Sequence, residues 1–216
     1  MQKPFVPLFL IGLFTAADGR AASPWINEFH YDDAGGDSGE FVEIAVPSSL
    51  ADLATVSLTL YNGGDGKTYG SHALTTFESG SSEGGVTYFS KLITGIQNGT
   101  PDGLALSWPE GVQFLSYEGS FLAANGPAAG LSSIDIGVSQ ADTGAPDGSS
   151  LGLVGFGDRY DDFVWSALGT ATPGGANFGQ TVVPEPQTYA LLAGGGLALF
   201  AFLRSPGARR RGGVRG

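Results

Sequence analysis

Cysteine is absent from the 216 residues, histidine occurs twice and methionine once. That rules out a disulfide framework, a thiolate metal site and a cysteine nucleophile together. Charge is also scarce: charged residues make up 14% of the chain against 42% hydrophobic, so charge does not hold this chain unfolded. Bases are scarcer than acids, ten against 21, for a formal net charge of −11. No apolar run reaches the roughly 20 residues of a spanning helix. The glycine clusters Gly35-Gly36, Gly63-Gly64 and Gly194–Gly196 lack the P-loop lysine and the dinucleotide fingerprint. Glycine itself is abundant, 36 residues without a period, which excludes a collagen triple helix.

The charge is unevenly divided. Residues 22–182 hold 19 acids and only the bases Lys67, Lys91 and Arg159, a formal charge of −16. Five of the ten bases, Arg204, Arg209, Arg210, Arg211 and Arg215, lie in the last 13 residues. Phosphate backbones demand clustered Lys and Arg, so no direct nucleic-acid binding is expected of the acidic part. An acidic exterior suits solubility, divalent cations or cationic partners.

Both ends read as addresses. Residues 1–21 have the build of a signal peptide for the Sec machinery: Lys3, the apolar run Phe5–Thr15, then Gly19 and Ala21 before a cut after Ala21. Residues 183–216 have three parts in order. Pro184-Glu185-Pro186 enforces an extended stretch, Tyr189–Leu203 is apolar, and the arginines follow. Positive charge at one end of an apolar helix orients that end to the cytoplasm. Fifteen residues span only about 22 Å, which suits transient membrane insertion rather than a permanent anchor.

This tail resembles the PEP-CTERM sorting signal. The resemblance implies processing by an exosortase in a Gram-negative, exopolysaccharide-making bacterium. It further implies an inner-membrane intermediate, cleavage near Pro184-Glu185-Pro186, and delivery to the outer surface or extracellular matrix, where exopolysaccharide is a possible partner. The membrane-orienting charge would be Arg204, Arg209, Arg210 and Arg211.

Residues 22–182 predict an all-β module. β-rich runs recur at 25–31, 41–46, 56–61, 86–93, 104–108, 112–117 and 163–165. Turn signals separate them: Gly35-Gly36, Asn62-Gly63-Gly64, Asp102-Gly103, Asn125-Gly126-Pro127 and Asp147-Gly148. Pro109-Glu110-Gly111 reads as a hairpin loop with its glycine in the left-handed position. Three blocks stand out within this segment: Ile26-Asn27-Glu28, Glu40-Phe41-Val42-Glu43, and Thr172-Pro173-Gly174 followed by Asn177. Their order resembles the bacterial lamin-tail domain. That resemblance implies an immunoglobulin-like β-sandwich that binds or scaffolds and carries no catalytic residue; such modules also accompany extracellular nucleases.

Chemistry is sparse. A Ser-His-Asp arrangement would have only His30 or His72 as base, and catalysis is not expected. Metal binding is more open. Strand alternation places Glu28, His30 and Asp32 on one face, and Asp33, Asp37 and Glu40 follow in the Gly-rich loop. Hard oxygen donors of this kind suit Ca²⁺, whereas the bland reading is Asx turns with acids facing water. The cluster Asp158, Asp161 and Asp162 around Arg159 reads as loop solvation and a local ion pair. Trp25, Trp108 and Trp165 are expected in the core; Tyr61, Tyr69, Tyr88, Tyr117 and Tyr160 could stack on a sugar or pack inside.

The leading expectation is a non-enzymatic exported surface or matrix protein with no required cofactor. The alternatives are a calcium-dependent carbohydrate-binding module, an auxiliary module for a secreted nuclease, and a metal hydrolase built on Glu28, His30 and Asp32.

Overall fold

Alternating apolar positions and frequent glycine turns produce a strand-rich fold in the computed structural model, which describes residues 23–140 and 145–184. The expected signal peptide, Glu185, Pro186, the apolar segment 189–203 and the terminal arginines lie outside the described residues. Twelve strands follow in order: β1 (Trp25–His30), β2 (Phe41–Pro47), β3 (Ser57–Asn62), β4 (Lys67–Ala73), β5 (Glu78–Glu83) and β6 (Val86–Leu92) form the first half. The second half is β7 (Asp102–Trp108), β8 (Gly111–Tyr117), β9 (Ile134–Asp135), β10 (Ser150–Gly157), β11 (Phe163–Leu168) and β12 (Gln180–Val182). Helix among the described residues is limited to three single 3₁₀ turns. The all-β expectation holds.

The strands form two sheets. The longer runs β11-β10-β1-β2-β6-β5 with β12 added to β10; the shorter runs β4-β3-β7-β8-β9. Their facing sides make the main core. Ile26, Phe29, Val42, Ile44 and Leu151 from the longer sheet meet Leu58, Leu60, Leu104, Leu106 and Leu115 from the shorter. This is sheet-on-sheet packing of a sandwich. Trp25, Tyr61, Tyr88 and Tyr117 are fully buried, so these aromatics pack inside, whereas Tyr69 reaches the surface.

Loops cover the outer faces in part. Residues 121–131 fold over the shorter sheet, where Ala123 and Ala128 join Tyr61, Ala105 and Phe114 in a separate apolar cluster. The Tyr61 hydroxyl donates to the Asn125 carbonyl at 2.9 Å and accepts from the Ala128 N–H at 3.0 Å. On the longer sheet, residues 172–180 lie over β1 and β2, and every residue of these two strands is buried. Burial on both faces explains why neither strand shows a solvent-facing polar set.

Two turn expectations need correction. Asp102-Gly103 is not a turn: both residues open β7, with Asp102 opposite Tyr117. Gly111 does not take the left-handed conformation; it pairs with Trp108 across a two-residue loop. A β-carbon there would come within 2.9 Å of the Trp108 ring, so ring contact rather than handedness excludes a side chain. The hairpin between β5 and β6 does use positive φ, at both Gly84 and Gly85, as a two-residue turn requires.

Candidate functional site

The acidic residues expected as calcium ligands divide between two places. The first is the end of the sandwich where the loop after β1 meets the loop between β6 and β7. His30 is the hinge of this end. Gln140 accepts from the Tyr31 N–H at 2.9 Å, which directs its amide nitrogen to His30 Nδ1 at 2.9 Å and to Ser149 Oγ at 3.2 Å. An amide donor at Nδ1 places the ring proton on Nε2. That nitrogen faces the Ser38 carbonyl at 3.2 Å and Asp33 Oδ1 at 3.3 Å. Both nitrogens of this buried ring are thus engaged within the protein.

Asp33 closes the loop on itself by accepting from the backbone and hydroxyl of Ser38 at 3.0 and 3.1 Å. Burial opposes ionisation of this carboxyl, but the Ser38 hydrogen bonds and the neighbouring His30 outweigh it and hold it below the usual range. Asp32 and Asp37 converge on one amide, Asn98 Nδ2, at 3.2 and 3.4 Å. Glu40 turns elsewhere and accepts from the Gly95 N–H at 2.6 Å. Asp32, Asp33 and Glu40 are buried, so the expectation of water-facing acids holds here only for Asp37. No group of three or more His, Asp or Glu among the described residues is placed to hold a metal ion.

Beside Asn98 opens a polar cleft of about 320 Å³ lined by Asn62, Gly64, Gln97, Asn98, Gly99, Thr100, Pro101 and Asp102. Asp102 ties its walls together, accepting from Gly63 at 2.9 Å and Gly99 at 2.7 Å. Next to it, Glu118 takes the Tyr31 hydroxyl at 2.7 Å and the Thr100 hydroxyl at 2.8 Å, with a backbone φ of +60°. That conformation is sterically costly for a residue with a β-carbon. Gln97, Glu118 and Gln140 carried no local signal in the sequence; the last contacts His30 across 110 residues.

The second place is a buried polar clasp on the longer sheet. A β-bulge after Ile26 sets Asn27 and Glu28 against the single residue Glu43. Glu28 accepts from Ser150 Oγ and from the Thr172 N–H and hydroxyl, both at 2.9 Å. Glu43 accepts from Asn27 Nδ2 at 2.9 Å and from the N–H groups of Gly174 and Gly175. Asn177 Nδ2 donates to the carbonyls of Asn27 at 3.1 Å and Leu153 at 2.9 Å, bridging β1 and β10. Gln180 completes the set with 2.7 Å to Asn27 Oδ1. All three sequence blocks therefore meet in one hydrogen-bonded network. Glu28, expected beside Asp32 as a metal ligand, instead has both carboxylate oxygens bound by Ser150 and Thr172.

Burial raises the Glu28 carboxyl and pushes Glu43 up to about 8, with the Glu28 charge adding to the rise while Asn27, Gly174 and Gly175 oppose it. Two Gly-x-Ser-x-Gly pentapeptides occur, Gly80–Gly84 and Gly148–Gly152. Neither forms a strand-to-helix elbow. Ser82 lies in β5 with its hydroxyl 2.7 Å from Thr87 Oγ1, and Ser150 lies in β10 bonded to Glu28. His72, on β4, is partly buried; burial and nearby Lys91 lower its pKa. Arg159 Nε pairs with Asp158 at 3.0 Å, as expected, while Asp162 caps the turn by accepting from the N–H groups of Asp158 and Arg159.

Of the tail motif only Pro184 is among the described residues, two positions beyond the end of β12. Comparison with models of protein families, with curated proteins and with solved structures finds no significant match.

Proposed function

We propose that the chain is a non-enzymatic exported protein whose lamin-tail-like, immunoglobulin-like β-sandwich binds or scaffolds at the cell surface or in the exopolysaccharide matrix. Its address is the Sec signal peptide at one end and the PEP-CTERM-like tail, read by an exosortase, at the other. The observation that supports this best is the clasp. The three blocks on which the lamin-tail resemblance rests are hydrogen-bonded to one another through Asn27, Glu28, Glu43, Thr172, Gly174 and Asn177, with Asn27, Glu28, Glu43 and Asn177 buried, which suits a framework role. Mass spectrometry of protein exported from an exosortase-bearing host is the test. The expected mass begins at Ala22 and ends near Pro184-Glu185-Pro186; an exported chain that still carries Gly216 overturns the sorting reading.

A second reading, a calcium-dependent carbohydrate-binding module, is favoured by the convergence of Asp32 and Asp37 on Asn98 beside a cleft lined with amide, hydroxyl and carboxylate groups. Ca²⁺ in place of the Asn98 amide would draw on those oxygens and on loop carbonyls. Melting with and without millimolar Ca²⁺ separates the readings. A rise abolished in an Asp32→Asn, Asp37→Asn variant supports the calcium site, and an unchanged melt rejects it.

A further inference from the structure

Eight large apolar side chains are exposed among the described residues, and three of them gather where the chain leaves the sandwich. Val154 and Val164 are opposite one another on β10 and β11, and Phe156 follows two residues on, on the same outward side. Phe156 is 69% exposed and Val164 65%. Phe178, 86% exposed, precedes Gly179, whose carbonyl accepts from the Gly155 N–H at 3.0 Å. The next strand, β12, then pairs Thr181 with Phe156 and Val182 with Gly157, and Pro184 follows. The exit of the chain is therefore flanked by two exposed phenylalanines and a valine.

We infer that this face is the membrane-facing side of the module: it rests on a lipid bilayer surface while the tail is inserted. The inference depends on the reading of residues 189–203 as a transient membrane segment. Only five residue steps separate Pro184 from Tyr189, a reach of about 17 Å when fully extended. A module of about 160 residues has a radius of gyration near 15 Å, so such a tether cannot carry the exit side far from the bilayer. The polar headgroup layer is about 5–8 Å thick on each side of the hydrocarbon core, within that reach. Side chains nearest the exit then sit at interfacial depth, where phenylalanine and valine gain by leaving water. Leu122, Leu131 and Ile134 are also exposed, but they belong to the loop over the shorter sheet and to β9, and no chain exit lies in these segments.

The absence of cysteine makes the test direct. Full-length chain carrying a single fluorophore, at Thr181→Cys, Ser71→Cys or Ala198→Cys, is reconstituted into phosphatidylcholine vesicles with spin labels on the headgroup or the acyl chain. The expected result is headgroup quenching at Thr181 several-fold above that at Ser71, and acyl-chain quenching at Ala198. Phe156→Ser with Phe178→Ser should remove the quenching at Thr181 and leave that at Ala198. If Ala198 is quenched while Thr181 behaves like Ser71, the proposal falls and the tail reading stands. No quenching at Ala198 overturns the tail reading and the proposal with it. A concentration-dependent change at Thr181 without vesicles assigns the face to a second copy of the chain and also overturns the proposal.

Discussion

Glu43 and Glu28 are buried side by side in a sheet, and their environment makes a prediction about pH. In the folded chain Glu43 keeps its proton up to about 8, against an ordinary value of 4.5. Between these values the folded state binds more protons than the unfolded one. This contribution to stability is complete below about pH 4.5 and is lost as pH rises to about 8. Denaturant melts from pH 5 to 8 should therefore show falling stability, with a shallower slope in Glu43→Gln; an unchanged slope would remove Glu43 as its source. Asn177 gives a second test. Asn177→Ala leaves the Asn27 and Leu153 carbonyls without their donor inside the protein, for an expected loss of about 2–3 kcal/mol. Gly152→Ala should destabilise too, because its β-carbon would lie 2.8 Å from Asn177 Nδ2 and 2.5 Å from Leu168 Cδ1. These glutamates were legible in the sequence as part of a motif, but their role was not. Strand alternation assigns a face, and only the bulge at Asn27 and the arrival of Thr172 decide that Glu28 is covered.

The strands that the sequence revealed are those with a buried apolar face. β1, β2, β3, β6, β7 and β8 carry Val, Ile, Leu and aromatics at alternate positions, and each was expected within a residue or two of its place. β4, β5, β9, β10 and β12 were missed for different physical reasons, and β11 was expected only over 163–165. β5, Glu-Ser-Gly-Ser-Ser-Glu, is exposed throughout and exists because β6 offers it a hydrogen-bonding edge. β10 is central but glycine-rich, since Asn177, Asp162 and neighbouring side chains press on its backbone. The loop over the shorter sheet was legible as a turn at Asn125-Gly126-Pro127, yet its docking was not. Gly126 has a φ of +70° and its β-carbon would meet the Tyr61 hydroxyl at 2.5 Å. Gly126→Ala should cost about 1–3 kcal/mol and speed proteolytic cleavage within 121–131, with the rest of the module still folded. Cleavage at the wild-type rate would show that the loop is not held by this contact.

Charge and address belong to the molecule as a whole. The net −11 joins an acidic module at −16 to basic ends, so removal of both ends would leave a more acidic mature protein. Export, sorting and the Ca²⁺ question are tested on the intact chain, as described above. Composition and pattern alone were enough for an all-β module with few chemical groups, because short-range alternation and turn chemistry follow from backbone sterics. They were also enough to mark the acids at 28–40 and the three motif blocks. Which acids share a site was decided only by tertiary structure. Asp32 and Asp37 meet at Asn98, some 60 residues away, while Glu28 and Glu43 meet Thr172 and Gly174 more than 130 residues away. Contacts of that range leave no periodic trace in a sequence: they depend on which strands pair and which loops fold back over them.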